Sequence, residues 1–145
     1  MQPVISLSIL CVVCAVAPAA CADQPASALD APVASETLIA PAKYQGAAAS
    51  AAAGATALDI ALQIAGEFEG AAQQVTQLNE GSEAPSATRV TVVRDGLLDD
   101  SIRARRWEIL LERADGGAWT IREVKEAWLC WRGESRDRFA AEPCP

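Results

Sequence analysis

The stretches SIRARRWEILLER (residues 101–113), ADGG (114–117) and AWTIREVKEAWLCW (118–131) read as two long strands joined by a tight turn. Trp107, Ile109 and Leu111 alternate with Arg106, Glu108 and Glu112, the two-residue period of a strand with one apolar face. Ala114-Asp115-Gly116-Gly117 supplies the positive backbone angles that a hairpin turn needs. On the return the apolar set runs Trp119 and Ile121, then Val124, Trp128 and Cys130. Its phase slips by one residue, and an extra residue near Arg122 or Glu123, a β-bulge, would restore it.

Working outward, Thr88 to Arg94 is rich in branched residues and ends at Asp95-Gly96, a third strand with its turn. Asn79 to Ser86 has the Asn, Gly, Ser and Pro content of a loop, and Ala71 to Leu78 fits either a short helix or an edge strand. Leu58 to Phe68 is expected as a helix with Leu58, Leu62 and Ala65 on one stripe and Ile64 and Phe68 near it, although Leu58-Ile60-Leu62-Ile64 also alternate as a strand would. Gly46 to Ala57 is alanine-rich, helical by propensity but poor in large apolar surface. A sheet with one apolar face must be covered, and the 58–68 helix is the best cover available. The expected class is α+β, a curved antiparallel sheet of three to five strands packed on one helix. Trp107 and Trp119 are expected to face each other across the hairpin, and Phe139 is the natural plug if the C-terminal tail crosses the sheet.

Before Lys43 the chain has no lysine or arginine, and Val4 to Ala20 is uncharged and almost wholly apolar. That is the pattern of a signal-peptide core, marginal as a permanent span because about 20 apolar residues are needed to cross the hydrocarbon. Two processing routes are open. Signal peptidase could cut after Ala20 or Ala22, or Cys21 could be lipidated and the chain cut before it. The second resembles the bacterial lipoprotein pattern of small residues before a cysteine, departing from it at Pro18; Asp23 then resembles a signal for retention in the inner membrane. Ala22 to Pro41 holds Ala, Pro, Ser and Asp with little to bury, so it reads as a tether. The expected organisation is a signal peptide over 1–20, a flexible tether over 21–45 and a small α+β domain over 46–145.

Five cysteines divide accordingly: Cys11 and Cys14 lie in the leader, Cys21 is the lipidation point, and Cys130 and Cys144 remain as a disulfide pair. The absence of histidine and of clustered thiols argues against a metal site. No cofactor motif is present: phosphate-cradling and dinucleotide-binding glycine patterns are missing. A net charge of −7 argues against nucleic acid as a partner, since binding it requires a sustained positive field.

The binding candidates are Arg103, Arg105, Trp128, Trp131 and Arg132. Arg103 and Arg105 fall in the basic run 102–107, with the solvated face and cross-strand pairing to Glu123 or Glu126 as the plainer reading. Trp128 and Trp131 differ by an odd number, which puts them on opposite faces and leaves one exposed beside Arg132. Catalysis has little support. Lys43 and Lys125 lie in no serine or thiol motif, and Asp99-Asp100 is a turn or cap before Ser101.

Leu97 to Ser101, Gly116 to Ile121, Trp128-Leu129-Cys130 and Pro143-Cys144 resemble a module of small exported proteins and lipoproteins of bacteria that carry no assigned activity. The hairpin is also similar to the sheet of NTF2-like and cystatin-like domains, which host binding proteins and enzymes alike, so the resemblance implies a fold and selects no function. The resulting expectation is a membrane-tethered binding or scaffolding module on the periplasmic face of a bacterial membrane, or else soluble in the periplasm or secreted. Its partner would be the membrane itself through lipidated Cys21, with an envelope protein or small amphipathic ligand at the domain. The alternative is a small envelope enzyme in which Asp99, Asp100, Glu108 or Glu123 meets an arginine in a desolvated cleft.

Overall fold

The computed structural model describes residues 27–50, 54–81, 83–114 and 117–145, so the leader, Cys21 and part of the 114–117 turn lie outside the described residues. The fold is α+β and dominated by a five-stranded antiparallel sheet. Its strands are β1 (Thr37–Ile39), β2 (Ala72–Glu80), β3 (Ala87–Asp95), β4 (Ile102–Arg113) and β5 (Trp119–Cys130), in spatial order β1-β5-β4-β3-β2. Helix α1 spans Gln45–Ser50 and α2 Ala57–Ala65.

The β4/β5 register explains the phase slip. Leu110 pairs with Glu123 but Leu111 pairs with Ile121, so Arg122 is the extra residue. A second irregularity between Ile102 and Ala104 displaces Arg103 from the alternation. Trp107 and Trp119 do not oppose one another: Trp107 pairs with Glu126, and Trp119 pairs with Arg113 at the turn. The ambiguous 71–78 segment is the edge strand β2, paired with β3 in unbroken register over nine residues. Gly96 turns β3 away with φ +67; a side chain there would stand 2.6 Å from Ala71 Cβ, so the glycine is required by space as well as by backbone angle.

Helix α2 begins in a capping box, Thr56 and Asp59 each bonding the other's backbone, and ends at Gly66. Its buried face is Ala57, Ile60, Ala61, Ile64 and Ala65, with Leu58 and Leu62 only partly buried. Ala65 and Ile64 lie on the buried face as expected, but the face is completed by Ile60 and Ala61 rather than by Leu58 and Leu62. Phe68 lies beyond the helix and is exposed. These residues form one buried cluster with Val90, Val92, Trp107, Ile109, Leu111 and Val124.

The opposite side of the sheet has its own core. Val93, Ala104, Ala127 and Leu129 are buried against Ala28 and Phe139, so the tail does plug the sheet through Phe139. Phe139 N–H donates to Pro32 O (2.8 Å) and its carbonyl accepts from Ala34 N–H (2.8 Å), which draws the N-terminal stretch alongside the tail.

That contact corrects the expected tether over 21–45 for the residues described. From Ala28 onward the segment belongs to the domain: Ala28 is buried, β1 pairs with Glu126, Lys125 and Val124, and Tyr44 packs on the helix-side core. Composition failed there because strand pairing uses backbone groups, which a sequence of Ala, Pro and Ser supplies as well as any other.

Candidate functional site

Two constellations of charge and aromatic surface arise from this architecture. The first is buried beneath α1 and α2. By strict alternation Arg94 is in phase with Val90 and Val92, Arg105 with Trp107, and Glu126 with Val124 and Trp128; all three therefore point to the helix-covered side. Arg105 thus does not line the solvated face. Its Nη2 reaches Glu126 Oε2 at 2.5 Å, and its guanidinium lies 4.7 Å from the Trp107 ring and 5.7 Å from the Trp128 ring.

Glu126 is buried and accepts further bonds from Tyr44 Oη and, at 3.5 Å, from Lys43 Nζ. Burial opposes its ionisation, but the hydrogen bonds from Tyr44 and Arg105 outweigh that cost and hold its carboxyl below the usual range. Arg94 is equally buried and closes the C-terminus of α2, donating to the carbonyls of Ala65 (2.6 Å), Gly66 (2.7 Å) and Glu67 (2.8 Å) and to Gln73 Oε1 (2.8 Å). All three charged members have structural partners, although Arg105 Nε itself makes no hydrogen bond. Sequence reasoning passed over Arg94; it named Glu126 as a cross-strand partner of the basic run, and Arg105 does pair with it, but on the covered face of the sheet, which the parity of both residues with apolar neighbours signalled.

The second constellation is open. The tail between Cys130 and Cys144 loops over the end of the sheet, closed by a disulfide with Cα atoms 5.6 Å apart. Cys130 N–H donates to Ser135 O (2.7 Å), Trp128 and Ala140 exchange two backbone bonds of 2.9 Å, and Ser101 Oγ donates to Pro145 O (2.8 Å). Between this loop and the start of β4 runs a groove of about 710 Å³ lined chiefly by Arg103, Trp131, Glu134, Arg136, Asp137 and Arg138. A recess of about 450 Å³ shares Arg103, Arg136 and Asp137 with it and continues to Asp30 and Leu129.

The groove carries three arginines beside Glu134 and Asp137, and two of the three are already paired, Arg138 Nε with Asp137 Oδ1 at 3.0 Å and Arg103 with Asp95, so its charges are nearly balanced. Arg103 stands 5.6 Å from the Trp131 ring centroid and 3.4 Å, Nε to Oδ1, from Asp95. Trp131 is half exposed, and its Nε1 donates to Asp99 O at 3.1 Å, which fixes the ring as a wall. As parity predicts, Trp128 is buried and Trp131 exposed.

Of the five candidates, the structure joins Arg103 to Trp131 at the groove and Arg105 to Trp128 in the buried row. Arg132 stands apart with its Nη2 on Asp100 O at 3.2 Å. Arg136 and Arg138 were missed. Their signal was the sequence RGESRDR, residues 132–138, which lies wholly inside the disulfide loop.

The carboxylates considered for catalysis are placed otherwise. Asp99 caps the turn through the N–H groups of Ser101 (2.8 Å) and Ile102 (2.6 Å), bonds that lower its pKa. Glu108 does meet arginines, Arg106 at 2.9 Å and Arg89, while Lys125 lies 3.6 Å away; this is a cross-strand network on the sheet face away from α2. Glu123 pairs with Lys125 at 3.0 Å. None of these lines the groove or its recess. Comparison with protein-family models, curated proteins and solved structures finds no match for the chain.

Proposed function

We propose that this chain is an exported binding module of the bacterial cell envelope, held at a membrane through lipidated Cys21, whose ligand is a small amphipathic anion seated in the groove beside the disulfide loop. The observation that carries the reading is the placement of Arg103 beside half-exposed Trp131, with Arg136 and Arg138 on the facing loop of an otherwise acidic chain. Guanidinium groups receive a carboxylate, sulfate or phosphate head in a planar, forked geometry, and the indole face takes the adjoining apolar part. A sheet curved on α2 belongs to the same reading, supported by the single cluster that α2 makes with β3, β4 and β5.

The binding reading is preferred to an envelope enzyme because Glu108 and Glu126 are committed to fixed cationic partners. Export is supported by the uncharged apolar leader and by the Cys130–Cys144 disulfide, a bond that persists in oxidising compartments.

Calorimetric titration with dodecyl phosphate below its micelle concentration tests the site. Binding weakened about tenfold or more by Arg103→Ala or Arg136→Ala is expected, with no response to dodecyltrimethylammonium. Equal binding of both detergents, or indifference to both substitutions, would overturn it. Intact mass of the chain recovered from membranes tests the anchor: the reading requires Cys21 at the N-terminus bearing acyl chains.

A further inference from the structure

The chain enters the domain at one end of the sheet. Ser27 is the first described residue, and Ala28 N–H donates to Asp95 Oδ2 at 2.8 Å, beside the turn that joins β3 to β4. That turn carries Leu98, which at 86 % exposure is the most exposed large apolar residue described. Trp131, 43 % exposed, is fixed to the same turn: its indole N–H donates to the carbonyl of Asp99 and its backbone N–H to Ser101 O at 2.9 Å. Arg132 reaches Asp100 O from beside it. The other end of the sheet, the β4/β5 turn next to Trp119, lies about 35 Å away along the twelve residues of β5.

Six peptide links separate Cys21 from Ser27, a span of at most about 20 Å when fully extended. With Cys21 acylated, the end bearing Leu98 and Trp131 therefore stays within that distance of the lipid however the domain swings. The Trp119 end is under no such restraint.

We propose that the Leu98–Trp131 end of the sheet docks on the bilayer that holds Cys21, with both side chains entering the boundary between headgroups and acyl chains and Arg132 among the headgroups. The inference rests on the lipid anchor proposed above. A bilayer is the fitting occupant because the chain is led onto this end from the anchor, and because an indole with one polar edge suits a membrane interface while an exposed leucine suits the acyl chains beneath it. Two side chains would not hold a free protein at a membrane. A tether this short makes the docking step intramolecular, at an effective concentration on the order of millimolar. Charge contributes little, since Arg103, Arg132 and Arg136 share this end with Asp99, Asp100 and Asp137, and zwitterionic lipid should suffice.

The acylated chain, purified from membranes, is reconstituted into phosphatidylcholine vesicles whose acyl chains carry bromine near the headgroup or near the methyl end, and quenching of tryptophan emission is measured. Quenching is expected from the shallow bromine and less from the deep one. Trp131→Phe and Leu98→Asp should each lose most of it, whereas Trp119→Phe should retain it; circular dichroism checks that the variants are folded. Absence of quenching, quenching that survives Trp131→Phe or Leu98→Asp, or quenching that depends on Trp119 would overturn the proposal. Intact mass and flotation with the vesicles separate the two readings. An acylated chain that floats without quenching overturns docking and leaves the anchor standing, while a chain lacking acyl groups overturns the anchor and docking with it.

Discussion

Arg105 of β4 reaches diagonally to Glu126 of β5, Nη2 to Oε2 at 2.5 Å, and forms an ion pair on the face of the sheet that a helix covers. Its value lies in what would follow from losing one partner. Glu126 is out of water while Arg105 stays 31 % exposed with its Nε unpaired, so losing the arginine costs through the buried carboxylate left behind, and by less than the ~3–5 kcal/mol of a wholly lone buried charge. Tyr44 and Lys43 complete the carboxylate's shell and, with it, fasten the segment after β1 to β5.

Stability should accordingly fall in acid through Glu126. Its folded-state pKa is depressed, so its contribution is present above the unfolded carboxylate pKa of about 4.3 and is lost as pH drops through the folded value. Glu108, held low by Arg106 and Arg89 against the cost of burial, acts in the same direction. Urea unfolding from pH 7 down to pH 3 should show a declining midpoint, and Glu126→Gln should be less stable at pH 7 with a shallower decline. An unchanged slope in that variant would remove Glu126 from the account.

Arg94→Lys should destabilise by about 2–3 kcal/mol despite keeping the charge. One ammonium cannot span the carbonyls of Ala65, Gly66 and Glu67 while also reaching Gln73. The loss should localise: amides of α2 are expected to exchange faster, with those of β4 and β5 changing only in proportion to global stability. Uniform acceleration would contradict the capping role.

The sheet was legible in the sequence because its information is local. Alternation in 101–131 gave β4, β5 and the one-residue slip, and Arg122 occupies that slip. Parity separated Trp128 from Trp131 as well. Two things were not legible. Residues 28–39 join the sheet through backbone bonds to β5 and Phe139, which side-chain composition does not report. The groove joins Arg103 to Arg136 across a disulfide loop, a juxtaposition set by tertiary closure and not by spacing. Arg105 was expected on the solvated face with Glu126 as a possible partner, whereas both share phase with tryptophan and valine, as Arg94 does; phase was the stronger signal.

Reducing the Cys130–Cys144 bond should lower stability by about 3 kcal/mol, the value for closing a loop of this length in the unfolded chain. The same result is expected for Cys144→Ser. Because the loop carries Arg136 and Arg138, dodecyl phosphate affinity should fall with reduction even under conditions where the sheet remains folded by circular dichroism. Retained affinity in the reduced, folded protein would show that the groove does not depend on the staple.

Phe139→Ala separates the tail's packing from its covalent closure. The ring is almost fully buried between Ala28, Val93, Ala104, Ala127 and Leu129, so truncation should cost about 3–5 kcal/mol, the sum of lost burial and an unfilled cavity. Phe139 also ties the N-terminal stretch to the tail through the Pro32 and Ala34 backbone bonds, one residue after Arg138 of the groove. With the disulfide intact, the variant should therefore lose protection at residues 28–35 and bind dodecyl phosphate more weakly, while the backbone amides bonded between β3 and β4 stay the slowest to exchange. If residues 28–35 keep their protection in Phe139→Ala, β1 and the Glu126 contacts suffice to hold the N-terminal stretch, and the plug contributes only its own burial.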